Sequence, residues 1–200
     1  MDPILIEAAG DSMLQLPMPI PTSMALDQAL KRRRSTREFV PDTFSLEALS
    51  ALLWAACGVN REQQGGRTAP SAHDWKETEV YVVLADAAYR YEPRKHCLFL
   101  VKRADLRALT GLQDFVAIAP VNLVYVADFD RMTEADAGDR PFLAGADSAF
   151  IAQNVYLHCA SAGLATVVRA SIDRRALAQA LGLRQAQRIT LAQTVGYPKP

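Results

Sequence analysis

Five cations fall within seven residues, at Lys31, Arg32, Arg33, Arg34 and Arg37 in the run KRRRSTREF. The chain as a whole is balanced, with 22 basic and 22 acidic residues among 200. The cluster carries two readings. It is a solvated helix end, where cations favour the negative C-terminal dipole, or it is a phosphate clamp, in which guanidinium groups fork onto phosphate oxygens and the Ser35 hydroxyl adds a donor. Nucleic acid is the weaker partner, because one short basic run in a neutral chain, without interleaved aromatics, builds no extended surface for it.

Other chemistry is absent in its usual local forms. No GxGxxG or GxxxxGK run supplies a dinucleotide or nucleotide loop, and no HExxH, paired-cysteine or GxSxG spacing occurs. His73 and Asp74 are adjacent within APSAHDW and read more simply as a surface turn than as an oriented imidazole. His158 and Cys159 are adjacent on a helix, so they do not face each other. Cys57, Cys97 and Cys159 each sit in apolar surroundings, the pattern of buried thiols rather than a disulfide framework.

The elements that must position the cluster follow from periodicity. A helix is expected from a cap at Thr22 or Ser23 to about Arg34, and a second, capped by Ser45 or Thr43, over SLEALSALLWAAC to a stop at Gly58. Residues 59–68 read as a polar surface loop. Strands are expected at 76–85, 88–92, 96–101, 122–127, 165–168 and 188–196, with short helices at 103–109 and 112–118. The organising element is a helix from Asp147 to Ala162, apolar or small on nearly every face, which asks to be covered on several sides. Gly163 is its cap. Ser171 or Asp173 caps a last helix over 174–181. Four prolines before residue 22 make residues 1–24 an extended arm, leaving 25–200 as one domain. Strands that do not alternate one for one with helices indicate an α+β fold.

A prosthetic group with one phosphate and a large flat ring would use both a phosphate clamp and a helix whose amides, at Gln153 and Asn154, face apolar surroundings. RRRSTREF, then PSAHDW and a strand, then a long helix ending GLAT, then a terminal GYP, resembles the FMN-dependent nitroreductase family, in particular its SagB-type or thiazole-forming dehydrogenase branch. The likeness covers roughly residues 26–198, and the order and spacing of the four pieces carry it. It implies a central, mostly antiparallel sheet wrapped by helices, and an intertwined homodimer with FMN at the subunit interface.

The resemblance also implies a site. Arg33, Arg34, Ser35 and Arg37 fall on the ribityl phosphate, with Arg33 and Arg37 the stronger choices. Pro70, Ser71 and Ala72 frame the contact to the pyrimidine edge, where the family's asparagine and glutamine are replaced by Asp74 and Lys76. An ionised Asp74 offers no donor to a carbonyl oxygen and opposes reduction of the ring unless Lys76 neutralises it. Gly163 and Leu164 match the family turn after the helix. Ala170 and Ser171 stand where a glutamate-glycine pair presents backbone amides near flavin N5, and Ser171 otherwise serves as a helix cap. Lys199 is the candidate for a basic residue after the last strand. The implied activity is hydride transfer from NADH or NADPH through FMN to a nitroaromatic, quinone or similar acceptor, with no side-chain acid or nucleophile required. The alternative is a flavin-binding or partner-binding module without turnover. No export signal, membrane span, metal cluster or nucleic-acid surface is expected, which makes the cytoplasm the expected location.

Overall fold

The alternation in KETEVYVV splits cleanly between two faces of a sheet, because successive side chains in a strand point to opposite sides. Val80 and Val82 join one core cluster, while Tyr81 and Val83 join another on the far side. The computed structural model describes residues 12–199; residues 1–11 of the proline-containing arm lie outside them, as does Pro200.

In chain order the first half contains β1 (Met13–Gln15), α1 (Leu26–Arg32), β2 (Phe39–Val40), α2 (Leu46–Cys57), β3 (Val59–Arg61), β4 (Gly66–Arg67), β5 (Thr78–Val83), β6 (Ala88–Glu92) and β7 (Cys97–Lys102). The second half contains β8 (Val121–Asp128), α3 (Arg140–Ala162), β9 (Ala165–Arg169), α4 (Arg174–Leu181) and β10 (Gln187–Pro198). The main sheet runs β1-β7-β6-β5-β8-β10-β2, and β9 also pairs with β10. Every ladder in it is antiparallel. The fold is therefore α+β with helices on both faces.

Burial follows the layers. Leu49, Leu52 and Leu53 of α2 and Ile151 and Val155 of α3 pack on Val80, Val82, Leu98, Leu123 and Tyr125 of the sheet. Leu177 and Leu181 of α4 cover Tyr81, Val124 and Val126 on the other side. All eight residues of β8 are consequently buried, which is why its sequence is nearly continuously apolar.

Several boundaries differ from those expected. Helix α1 starts only at Leu26, after an uncapped Ala25, and the Thr22 hydroxyl instead accepts from Ser161 Oγ at 3.0 Å. Helix α3 begins seven residues before Asp147, because Pro141 fits its first turn, where an N–H has no carbonyl to reach. The expected loop at 59–68 contains the β3–β4 hairpin, and the two short helices after β7 are 3₁₀ turns at Arg107–Thr110 and Asp114–Ala117. Ser45 does cap α2, its Oγ accepting from Ala48 N at 3.1 Å. Asp173, not Ser171, caps α4, its Oδ1 accepting from Ala176 N at 3.0 Å. All three cysteines are free and buried.

The described arm is tied down by the β1–β7 ladder and, beyond it, by His96. His96 Nδ1 lies 2.8 Å from Tyr91 Oη, while Nε2 lies 2.7 Å from Ser50 Oγ and 3.1 Å from the Pro17 carbonyl. Burial pulls the imidazole pKa below its ordinary value. Among the described residues, no helix is long and apolar enough to cross a membrane.

Candidate active site

The last turn of α1, the C-terminal turn of α3 and the start of β9 enclose a cavity of about 410 Å3. Lys31, Arg32, Arg33 and Arg34 line it from one side, and Gly163, Leu164 and Ala165 from the other. Gly163 closes α3 in the left-handed conformation, at φ 72°. Both helices present their C-terminal ends here, which favours cations and disfavours an anion. Any anion in the cavity is therefore held by the guanidinium groups, not by the helices. Among the described residues, no carboxylate lies within 4.0 Å of Lys31, Arg32, Arg33, Arg34 or Arg37. Among the described residues these charges have no counter-ion.

Tyr156 anchors this corner from α3. Its phenol oxygen accepts from Val168 N at 3.0 Å and lies 2.8 Å from Ser35 Oγ. The arrangement that uses every proton has the phenol donating to Ser35, whose own O–H is then available to an anion. The Arg33 guanidinium sits 5.3 Å from the Tyr156 ring centroid, a cation-π contact. Thr36 N donates to the Thr166 carbonyl at 2.9 Å and fixes the segment beside β9. Ser35 and Arg37 are exposed and neither lines the cavity, Ser35 reaching it only through its contact with Tyr156. Lys199 is exposed too, with its N–H donating to the Glu38 carbonyl at 3.3 Å.

The Pro70–Lys76 turn lies elsewhere, against the N-terminal half of α3. Ala72 N donates to Asp147 Oδ2 at 2.8 Å, and Ser71 Oγ donates to Glu77 Oε2 at 3.1 Å while accepting from Lys76 N at 2.9 Å. These groups are committed to the frame. His73, Asp74 and Lys76 all hold positive φ, at 49°, 55° and 52°, a conformation that costs a non-glycine residue energy and persists only when its surroundings enforce it. What the turn presents outward is the Asp74 carboxylate, with Lys76 Nζ 2.8 Å away. The His73 ring stacks on Trp75 at 4.5 Å rather than on Asp74.

Beneath this turn Glu77 is fully buried, receiving hydrogen bonds from Ser71 and Thr78. Burial raises its pKa above the ordinary value, and the nearby Asp147 carboxylate raises it further. Glu77, Asp147 and Tyr156 organise the site, yet none was singled out from sequence. Asp147 carries a signal, a carboxylate whose helical neighbours Leu143, Ala144, Phe150 and Ile151 are apolar, whereas Glu77 stands among Lys76, Thr78 and Glu79 and Tyr156 reads as core.

Ala170 and Ser171 are exposed at the far end of β9, and the Ser171 carbonyl accepts from Leu112 N at 3.1 Å. Within one chain the expected site residues thus form three groups. Nine helical positions, about 14 Å at 1.5 Å each, separate Asp147 under the turn from Tyr156 at the cavity. The five residues of β9 put about 17 Å between Ala165 at the cavity and Ala170. Gln153 is exposed, while Asn154 Nδ2 donates to the Ala56 carbonyl at 3.4 Å, a contact between helices. Among the described residues, no group of His, Cys, Asp and Glu is placed to hold a metal ion.

Residues 30–197 match the model of the nitroreductase family. A curated relative from Methanocaldococcus jannaschii, named as a candidate nitroreductase, is 36% identical over 169 residues, 79% of this chain and 84% of its own. The crystal structure of a candidate nitroreductase from Ralstonia eutropha JMP134 is 46% identical with a TM-score of 0.90, over 95% of this chain and 91% of that one. The Escherichia coli microcin synthetase complex superposes with a TM-score of 0.75 at 21% identity, over 84% of this chain and 70% of the matched one, a likeness of fold alone.

Proposed function

We propose that this chain, which belongs to the nitroreductase family, is an FMN-dependent oxidoreductase that works as a homodimer. Family membership supports FMN- and NAD(P)H-dependent oxidoreductase chemistry in general. The observation that carries the cofactor reading is the cavity at the α1 and α3 termini, walled by Arg33 and Arg34, which have no carboxylate partner among the described residues. Such a donor set fits a phosphate, with Ser35 as the hydroxyl donor oriented by Tyr156. Gly163 and Leu164 form the opposite wall, and Arg37 and Lys199 contribute charge from outside it.

Bound FMN would supply the chemistry of hydride transfer between NADH or NADPH and a nitroaromatic, quinone or similar acceptor. The chain's own part is to hold and tune the ring. Asp74 accepts a hydrogen bond at the pyrimidine edge, while Lys76 offsets its charge. Pro70, Ser71 and Ala72 would supply the rigid frame, and the Ala170–Ser171 backbone would face the ring's reactive side. Because these groups are far apart in one chain, the proposal has two copies share each site. An apolar groove of about 550 Å3, with Ile20, Leu26 and Trp54 among its lining residues, supports burial against a second copy.

Assignment to the SagB-type, thiazole-forming branch rests on the four sequence pieces, and with it the oxidation of a peptide-borne ring is the variant direction. The alternative, a flavin-binding module without turnover, draws on Asp74 and Ala170 at positions where the family carries other residues. An absorbance spectrum before and after anaerobic addition of NADH or NADPH tests the proposal. Flavin bands that bleach support an oxidoreductase, bands that persist support the module, and protein that stays colourless after reconstitution with FMN overturns both. Sedimentation at low micromolar concentration tests the homodimer.

A further inference from the structure

Arg169 is the last residue of β9, and it is only 6% exposed. Among the described residues no carboxylate lies within 4.0 Å of it. Its hydrogen-bond partners are all neutral. Nη1 donates to the Thr110 carbonyl at 2.7 Å, and Nη2 donates to Asn122 Oδ1 at 3.0 Å and Thr194 Oγ1 at 2.7 Å. Nε is buried without a partner, and the Phe115 ring lies 5.8 Å from the guanidinium carbon. Burial pulls its pKa down to about 10, so the group stays charged at neutral pH.

An arginine buried without a counter-ion is costly, and the usual remedy is an adjacent carboxylate. Here the chain builds in the opposite direction. Thr194 Oγ1 donates to Asn122 Oδ1 at 2.6 Å, and Asn122 Nδ2 donates to the Val116 carbonyl at 2.8 Å, so the asparagine is held with its oxygen toward the cation. Gly111 leaves room for the guanidinium, since a Cβ there would overlap Nη1. The next residue, Leu112, donates its N–H to the Ser171 carbonyl at 3.1 Å. One cation and one amide thus join the 107–119 segment to the turn that follows β9.

We infer that Arg169 is a positioning residue: it clamps the 107–119 segment onto the Ala170–Ser171 turn, and its uncompensated positive charge favours negative charge on a flavin ring bound beside that turn. This rests on the FMN reading given above. The field of a buried charge extends further than that of a solvated one, because little water screens it. A neutral side chain of similar reach would fill the same space without supplying that field.

The experiment uses the full chain reconstituted with FMN and the variants Arg169→Lys, Arg169→Gln and Asn122→Asp. The flavin midpoint potential and FMN affinity are read on the loaded protein, and amide exchange across residues 107–119 on the FMN-free protein. Arg169→Gln is expected to lower the affinity for reduced relative to oxidised FMN at least tenfold, a fall of about 30 mV in potential, and to speed exchange in the segment. Arg169→Lys is expected to keep the ratio within threefold of wild type. Asn122→Asp sets a carboxylate against the guanidinium and is expected to lower the potential with Arg169 still present. Should Arg169→Gln not fold, the comparison of Arg169→Lys with Asn122→Asp decides. A wild-type potential in Asn122→Asp, or in a folded Arg169→Gln, makes Arg169 a structural clamp only and overturns the inference. Wild-type protein that takes up no FMN overturns the cofactor reading and the inference together; wild type that binds FMN beside variants of unchanged potential overturns the inference alone.

Discussion

The Tyr156 phenol lies 2.8 Å from Ser35 Oγ, joining the long helix to the basic run across 121 residues of sequence. The same oxygen accepts the Val168 N–H, so the loss of one atom unmakes two contacts. Tyr156→Phe is expected to destabilise the protein by about 1 kcal/mol or more, since a part-buried N–H is left without an acceptor. It also leaves Ser35 unoriented and weakens FMN binding. Denaturant titration and FMN titration read the two effects separately, and Ser35→Ala is expected to reproduce only the second.

Arg33 and Arg34 line the cavity and Arg37 does not. Charge-assisted hydrogen bonds contribute roughly 1.5–3 kcal/mol each, which corresponds to about 10- to 150-fold in affinity. Arg33→Ala and Arg34→Ala are each expected to weaken FMN binding within that range, and Arg37→Ala by less. Equilibrium titrations at two salt concentrations check this. Equal losses at all three positions would show a diffuse field rather than a cavity contact.

Glu77 gives stability a definite dependence on pH. Its folded pKa is raised above the ordinary 4.5, by burial first and by Asp147 as well as opposed by hydrogen bonds from Thr78 and Ser71. A carboxyl raised in this sense binds its proton more tightly in the folded state. Its contribution is therefore complete below the unfolded pKa and is lost as pH rises through the folded one. Glu77→Gln is expected to flatten that part of the stability profile above the ordinary carboxylate pKa, measured by chemical denaturation. A parallel profile in the variant would assign the slope to other groups.

Asp74 is exposed, with 74% of its side chain accessible, and pairs with Lys76, whose side chain is 19% accessible. Asp74→Asn removes the negative charge and leaves Lys76 unpaired, so the flavin midpoint potential is expected to rise. FMN affinity is expected to change less than twofold, about 0.4 kcal/mol, because the phosphate cavity lies at the other end of α3. Spectroelectrochemical titration beside the wild type checks both.

Much of the fold was legible in the chain itself. KETEVYVV, PVNLVYVAD and RITLAQTVG read as strands because a two-residue period or a short apolar run records which faces are buried. The helix before Gly163 was legible because its apolar residues leave no wet stripe, and the basic run was legible because five cations stand out in a neutral protein. Local chemistry determines such features, so local residues disclose them. The start of α3 was missed because a proline in a first turn looks like a break. Glu77 stayed unmarked, and Arg169 stood only as a neighbour of the Ala170–Ser171 pair, because their roles depend on Ser71 and Thr78 in one case and Thr110, Asn122 and Thr194 in the other. Tertiary structure alone decided that Arg33 faces a cavity while Arg37 does not, and that Ala72 is bound to Asp147 across 75 residues. The physical reason is that a side chain's charge and size are written at its own position, whereas its partners are chosen by the packing of the whole sheet and its helices.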